Sequence, residues 1–180
     1  MSTRTPSRSR RAFTIVEAIA TMSILVAIGS VVSGLIFTAS RSYTDAAFAA
    51  QLQAELSTAM SRITRELRYI PIDQTSAPVI PKINSVTAAS ITWSTNSSIT
   101  LNSGQVQLVL LGGTAEVLLQ DVTAMTVSTF DETNTALAAT LSGSATAPIR
   151  RVQVSVTITR NGVSQSLTGR VFLRGLMAGS

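Results

Sequence analysis

The sequence predicts an α+β fold in which a long N-terminal helix, half transmembrane and half amphipathic, packs on an antiparallel β-sheet. Three patterns indicate this. An uncharged apolar run covers residues 18–40, an apolar stripe with helical spacing covers 52–70, and short β-branched runs fill the chain after residue 85. The expected regions are a leader at 1–12, helix halves at 13–40 and 41–70, a linker at 71–84 and a β domain at 85–180.

Positive charge is concentrated at the start of the chain. The formal net charge of the 180 residues is +5, and four arginines precede Phe13, namely Arg4, Arg8, Arg10 and Arg11. Basic and acidic residues nearly balance beyond this leader. The high isoelectric point is therefore mostly a property of the leader, and we expect no nucleic-acid partner.

Residue types that commonly carry catalysis or bind metals are scarce. The chain has no Cys and no His, which removes thiolate ligands, the usual general base and the commonest metal ligand. Asp121, Asp131 and Glu132 have no EF-hand spacing around them, and residues 131–134 are typical of a turn. We therefore expect no enzyme activity, no catalytic residue, no cofactor and no metal site.

The uncharged run predicts a membrane span. As a helix, residues 18–40 would be roughly 34 Å long, enough for a hydrocarbon core of about 30 Å. The leader arginines place the N-terminus in the cytoplasm and the region after Arg41 outside. A removable secretory signal peptide is the alternative, but its apolar core is usually shorter. A plain single-pass anchor is also possible, but it does not explain the carboxylate of Glu17.

The segment RAFTIVE at residues 11–17, followed by the apolar run, resembles the prepilin signature of type IV pilins and type II secretion pseudopilins. The resemblance implies that a prepilin peptidase cleaves between Ala12 and Phe13 and methylates the new N-terminus at Phe13. Most members have Gly before the cut, whereas this chain has Ala12. It also implies that Glu17 recruits and registers the next subunit of a filament.

A physical reason for Glu17 accompanies this resemblance. Cleavage before Phe13 would create an α-amino group with a pKa of about 8 at the membrane boundary. Glu17 lies one helical turn further along, where its carboxylate can offset that charge or the charge of a neighbouring subunit. The alternative is that Glu17 simply lies in the membrane interface.

Small residues within the apolar run favour close packing against another helix. The pairs with four-residue spacing are Gly29 with Ser33 and Ser30 with Gly34. Such spacings let helix backbones approach each other within a membrane.

The amphipathic half of the helix has one apolar stripe. Its members recur at steps of three and four: Leu52, Leu56, Met60, Ile63, Leu67 and Ile70. Pro71 ends the pattern. The arginines beside the stripe are interpreted as a solvated face with an Arg62–Glu66 pair rather than as a basic patch.

The β domain alternates most clearly near its end. Val152, Val154, Val156 and Ile158 share one face, and Asn161-Gly162 predicts a type I′ hairpin turn. The valine and isoleucine face is the expected partner of the helix stripe. Trp93 is expected in the sheet core, and residues 131–148 are expected to form a surface loop.

The β half resembles, less specifically, the J-type minor pseudopilins of type II secretion and the related minor pilins of type IV pili. Residues 85–175 carry this resemblance, chiefly in the stretch VLLQDVTAMTVSTFDE at 117–132. It implies a pilin-like fold and a filament-assembly subunit of the cytoplasmic membrane, whose partners are other pilin-like subunits and prepilin peptidase. The alternative is a membrane-tethered binding module, such as a pilus-borne adhesin or DNA-uptake subunit. The sequence does not distinguish among a secretion system, a pilus and a DNA-uptake system.

Overall fold

The long helix predicted from the sequence is present as α1, Ile15–Arg68. The computed structural model describes residues 14–76 and 78–173. The chain forms two compact units, Met1–Asp45 and Ala46–Ser180, and each is described by itself. Arg65 and Arg68 occupy the last turn of α1, where cations interact favourably with the helix dipole. Pro71 follows within three residues, so the stop predicted at proline is confirmed.

The remaining described elements are eleven strands and one short 3-10 helix. In chain order the strands are β1 Ile72–Asp73, β2 Ile80–Pro81, β3 Ile83–Thr87, β4 Ser90–Trp93, β5 Ser97–Asn102, β6 Gln105–Val109, β7 Glu116–Leu119, β8 Val122–Phe130, β9 Leu141–Ser142, β10 Arg151–Arg160 and β11 Val163–Phe172. The 3-10 helix is Gly143–Thr146. The predicted fold class, α+β with a long N-terminal helix packed on antiparallel β-structure, is confirmed.

The strands divide among three sheets instead of the one predicted. One is the two-stranded pair β1-β2, one is three-stranded in the order β11-β10-β8, and one is six-stranded in the order β7-β6-β5-β4-β3-β9. The chain passes from the six-stranded to the three-stranded sheet between β7 and β8. Asp121 lies there with a φ of 57°, in the left-handed region that Asp tolerates. The turn at this residue lies where the chain leaves the six-stranded sheet and enters the three-stranded sheet.

The predicted hairpin is the β10–β11 pair. Arg160 pairs with Val163 across the turn, and Asn161 and Gly162 both have positive φ values, 52° and 80°. Positive φ at both central positions is the requirement of a type I′ turn, so this prediction is confirmed. The inward side chains of β10, from Val152 to Ile158, are buried as expected.

Helix α1 packs closely on the three-stranded sheet within the second unit. A Cβ added to Gly169 of β11 would lie 2.8 Å from Met60 Sδ and 2.9 Å from Thr64 Cγ2. Only glycine leaves room for so close an approach. The stripe from Leu52 to Ile70 joins the sheet valines and isoleucines in one buried cluster, which confirms the predicted packing.

The six-stranded sheet supplies the rest of this core. Trp93 is 4% exposed, so its predicted place in the sheet core is confirmed. Ile91, Ile99 and Leu108 are also buried on the inner faces of their strands. Alternation of buried and partly exposed positions along β4, β5 and β6 produces this arrangement.

Two segments expected to be loops contain short paired elements. Within residues 71–84, β1 and β2 pair through Ile72–Pro81 and Asp73–Ile80. Within residues 131–148, β9 pairs with β3. The buried Thr146 hydroxyl also donates to the carbonyl of Ile83 at 2.7 Å. Both segments are otherwise largely exposed or partly exposed, but these contacts fix them to the domain.

Candidate assembly interface

The start of α1 is a capping box formed by Thr14 and Glu17. The backbone N–H of Glu17 donates to Thr14 Oγ1 at 3.3 Å, and the backbone N–H of Thr14 donates to Glu17 Oε2 at 3.5 Å. The Thr14 hydroxyl also donates to Glu17 Oε2 at 3.4 Å. Each side chain thereby satisfies a backbone N–H that lacks a partner within the helix.

This capping box gives Glu17 a local structural role that the sequence interpretation missed. The signal was present, because a Thr followed three residues later by Glu before an apolar run is a capping-box motif. The described bonds engage Oε2, and no described residue donates to Oε1. A carboxylate accepts at both oxygens, so the cap leaves capacity for a cationic partner.

The predicted processing site lies outside the described residues. This applies to the bond between Ala12 and Phe13, to the methylated position Phe13, and to the leader arginines Arg4, Arg8, Arg10 and Arg11. Their roles remain predictions. The described helix does begin directly after this region, at Ile15.

The first unit presents an apolar helix with its side chains exposed. Val26 is 73% exposed, Leu35 66% and Phe37 60%. Among the described residues, α1 is the helix long and apolar enough to cross a membrane, and its most apolar stretch is unburied. Burying a large aliphatic side chain contributes about 1.5–3 kcal/mol, so this surface strongly favours an apolar environment.

The small residues singled out for helix packing face open space. A Cβ added at Gly29 or Gly34 would meet no heavy atom within 4 Å outside the local helix backbone. The Ser30 hydroxyl donates to the carbonyl of Ala27 at 2.8 Å. The four-residue spacings of Gly29 with Ser33 and of Ser30 with Gly34 lie on one continuous helix. Their predicted partner helix is not among the described residues, so this role also remains a prediction.

Hydroxyl side chains within the apolar stretch bond to the backbone of their own helix. Each donates to a carbonyl three or four residues earlier, as seen for Thr21, Ser23, Ser30 and Thr38. Such bonds satisfy the hydroxyl without water. These polar residues are therefore compatible with a lipid or protein environment.

Two arginines near the amphipathic half of α1, Arg62 and Arg160, are paired with carboxylates. Arg62 Nε lies 3.3 Å from Glu66 Oε1, which confirms the predicted pair. Arg160 of β10 contacts both α1 and the turn between β7 and β8. Its Nη1 lies 3.3 Å from Glu55 Oε2, and its Nε lies 2.8 Å from Asp121 Oδ2. The hydrogen bond to Asp121 is the main cause that raises the pKa of Arg160.

These ion pairs border an open groove of about 780 Å³ between α1 and β7. Its walls include Ala54, Thr58, Val117 and Leu118. Because carboxylates neutralise the arginines there, the groove carries no excess of positive charge. The solvated-face interpretation of this part of the helix agrees with that arrangement.

Together, the described residues define an α+β protein with an apolar N-terminal helix capable of spanning a membrane. No protein-family model, no curated protein and no solved structure matches the chain.

Proposed function

We propose that this chain is a minor pilin or pseudopilin, a filament-assembly subunit of a type IV pilus or type II secretion system that prepilin peptidase processes. The observation that carries the proposal is the exposed apolar helix whose first turn holds one carboxylate, Glu17, in a capping box. Such a helix needs both an apolar environment and a partner for its charge. Parallel packing of several such helices, each with a free N-terminus, supplies both.

Cleavage before Phe13 gives the capping box a further consequence. Thr14 would become the second residue of the mature chain, so the new α-amino group would lie one residue from the bond between Thr14 N and Glu17 Oε2. The helix dipole favours negative charge at this end, which makes the amino group the group that needs a partner. Glu17 Oε1 of the same or an adjacent subunit is suited to that role.

The proposal places the protein in the cytoplasmic membrane, with its N-terminus in the cytoplasm and its C-terminal domain outside. After processing it would join a filament or tip complex with other pilin-like subunits. The arginines of the leader support this orientation through the positive-inside rule.

A membrane-tethered binding module is the second candidate, and one observation favours it. The outer face of the three-stranded sheet carries two arginines stacked on two phenylalanines, an arrangement unnecessary for anchoring. This candidate needs no cleavage before Phe13 and no charge at position 17.

Processing is tested by N-terminal sequencing and intact mass of the protein extracted from membranes. We expect the mature chain to begin at Phe13 and to carry one methyl group on its α-amino nitrogen. A mature N-terminus beyond Ala39 would indicate an ordinary secretory signal and would exclude the filament proposal. An uncut chain would favour the tethered module.

Assembly is tested with a matched pair of substitutions in the capping box. Glu17→Gln keeps the box, because Gln caps as Glu does, but removes the charge. Thr14→Ala removes the threonine cap, worth about 1 kcal/mol, and keeps the charge. If Glu17 pairs with an amino group, Glu17→Gln should weaken association by tenfold or more, about 1.4 kcal/mol, whereas Thr14→Ala should retain it.

Crosslinking to partner subunits at equal membrane levels measures both variants. Cleavage and insertion should be unchanged in Glu17→Gln, since neither step requires a charge at that position. Equal recovery of partners by Glu17→Gln and the parent would show that Glu17 serves only the cap. The tethered module would then be the better account.

A further inference from the structure

The outer face of the three-stranded sheet carries an arginine–phenylalanine cluster, defined as Phe130, Arg151, Arg170 and Phe172. The sheet register places Phe130, Arg151 and Phe172 side by side on strands β8, β10 and β11. Arg170 lies two residues before Phe172 and therefore points to the same face. Phe172 is 44% exposed and Arg170 is exposed, whereas Phe130 and Arg151 are partly buried, so one side of the cluster is open to solvent.

Both guanidinium groups are held in place by aromatic rings. Arg151 Cζ lies 4.6 Å from the centre of the Phe172 ring, and Arg170 Cζ lies 4.7 Å from the centre of the Phe130 ring. Stacking of this kind fixes the plane of the guanidinium and reduces the entropy lost when it binds a ligand. The two cations are thus preorganised on one face.

Their described hydrogen-bond acceptors are all neutral. Arg170 donates through Nη2 to Gln153 Oε1 at 2.7 Å, and Arg151 donates through Nη1 to Asn134 Oδ1 at 2.7 Å. Arg151 Nη2 donates to the backbone carbonyl of Glu132, at 3.5 Å. Within the described part of the chain, neither arginine forms an ion pair, in contrast to Arg62 and Arg160.

The nearby carboxylate of Asp131 is committed to its own turn. It accepts hydrogen bonds from Thr135 N at 2.8 Å and from the Thr133 hydroxyl at 2.9 Å. The bond from Thr135 is the main cause that lowers the pKa of Asp131, and attraction by Arg151 is the weakest of the causes. The cluster therefore keeps two cations close together without a direct anionic partner. An incoming anion would reduce the repulsion between these two cations.

We propose that the arginine–phenylalanine cluster is a docking site for an extended acidic segment of a partner polypeptide, with carboxylates at alternate positions. Diagonal neighbours on adjacent antiparallel strands are about 7–8 Å apart, which is the relation between Arg151 and Arg170. Residues two apart in an extended chain are separated by about 6.8 Å on one face. The spacing of the two arginine positions therefore matches the spacing of alternate residues along one acidic strand.

Charge distribution favours an acidic polypeptide over a nucleic acid. Sequence-independent binding to a phosphate backbone requires a long positive surface that neutralises many phosphates. Here the strand positions beyond the two arginines are mainly Ser and Thr, such as Ser155 and Thr168. Two guanidinium groups match two carboxylates. This inference does not depend on the filament proposal.

The test uses the full chain in detergent micelles and a fluorescent synthetic peptide with glutamates at alternate positions. Fluorescence anisotropy should show binding that weakens with salt, because the contact is between exposed charges. Arg151→Gln and Arg170→Gln should each weaken it about tenfold, and the double variant should abolish it. Arg68→Gln removes the same charge from an exposed position on α1 and should leave binding unchanged.

Three further measurements make the outcome decisive. A peptide whose only two glutamates are adjacent should bind about tenfold more weakly than one whose two glutamates are two positions apart, because only one carboxylate then faces the cluster. Arg170→Lys keeps the charge but loses the planar fork, and should weaken binding while preserving the unfolding curve of the parent. Equal binding of both peptides, tighter binding of a single-stranded oligonucleotide, or an unchanged affinity in the double variant would overturn the proposal.

Discussion

The two parts of helix α1 differ in how they arrange similar apolar side chains. In residues 15–45 these side chains surround the helix, and Val26 and Leu35 are 73% and 66% exposed. In residues 46–68 they form one stripe, and Leu56, Ile63 and Leu67 are all 0% exposed. A stripe can be covered by one sheet, whereas a helix that is apolar on all sides requires lipid or several partners. The arrangement of the apolar side chains around the helix thus helps to determine what each part contacts.

The largest expected effect comes from placing a charge in the stripe. Ile63→Asp would bury an unpaired carboxylate in the core and should lower the free energy of unfolding by about 4 kcal/mol or more. Trp93 is the single tryptophan and is 4% exposed, so its fluorescence reports unfolding of the β domain. Denaturant titration of the full chain in detergent measures the change.

The matched substitution in the other part of the helix is Ile28→Asp, at a residue that is 55% exposed. It should leave the Trp93 unfolding curve unchanged but reduce recovery in the membrane fraction, since Asp at the centre of a span costs about 2.5–3.5 kcal/mol. If both variants unfolded like the parent, the stripe would not face the core. Equal losses of stability would remove the distinction between the two parts.

A smaller effect is expected at the close approach of helix and sheet. Gly169→Ala would bring a Cβ within 2.8 Å of Met60 Sδ and 2.9 Å of Thr64 Cγ2. The crowding should destabilise the domain by about 1–3 kcal/mol, measured with the same titration. Adding Thr64→Ser removes the Cγ2 methyl group and should recover part of the loss, which a double-mutant cycle detects.

Gly29→Ala is the control for Gly169→Ala. It adds the same methyl group where no heavy atom lies within 4 Å, so the Trp93 curve should not change. Parental stability of Gly169→Ala would mean that α1 does not lie against β11 at this point.

The smallest effect concerns acid stability of the second unit. Hydrogen bonds from Thr135 N–H and the Thr133 hydroxyl lower the pKa of Asp131. A group with a lowered pKa in the folded state contributes stability above its unfolded pKa of about 3.9, and the contribution is lost as pH falls through the folded pKa. Asp131→Asn should therefore flatten the dependence of stability on pH below about pH 4.

Thr133→Val gives an intermediate test of the same contact. It removes one donor and leaves the bond from Thr135 N–H, at 2.8 Å, in place. The slope of stability against pH in acid should fall between those of the parent and Asp131→Asn. Identical slopes for all three proteins would show that this turn does not contribute to acid unfolding.

Local patterns in the sequence predicted much of this fold. The helix, its stripe, the turn at Asn161-Gly162 and the burial of Trp93 depend on residues close together in the chain, so periodicity and turn chemistry reveal them. The Thr14–Glu17 capping box is equally local. The spacing of Thr14 and Glu17 before an apolar run is sufficient to predict it.

Features that depend on sheet order could not be predicted in this way. The chain crosses between the two larger sheets at Asp121 and again on either side of β9, which pairs with β3, and strand runs alone do not specify which strands pair. The close approach at Gly169 looks, in sequence, like an ordinary interruption of a strand. The cluster of Arg151 and Arg170 with Phe130 exists only because β10 lies between β8 and β11.

The packing of α1 against the last hairpin also determines the order in which the domain can mature. Glu55 and its partner Arg160 are 105 positions apart. At a synthesis rate of about 5–20 residues per second, the helix stripe emerges several seconds before the strands that cover it. The β10–β11 hairpin closes quickly once made, because its contacts are local. Until then Leu56 and Ile63 lack these covering strands, so we expect the nascent chain to be most prone to aggregation before β10 and β11 have emerged.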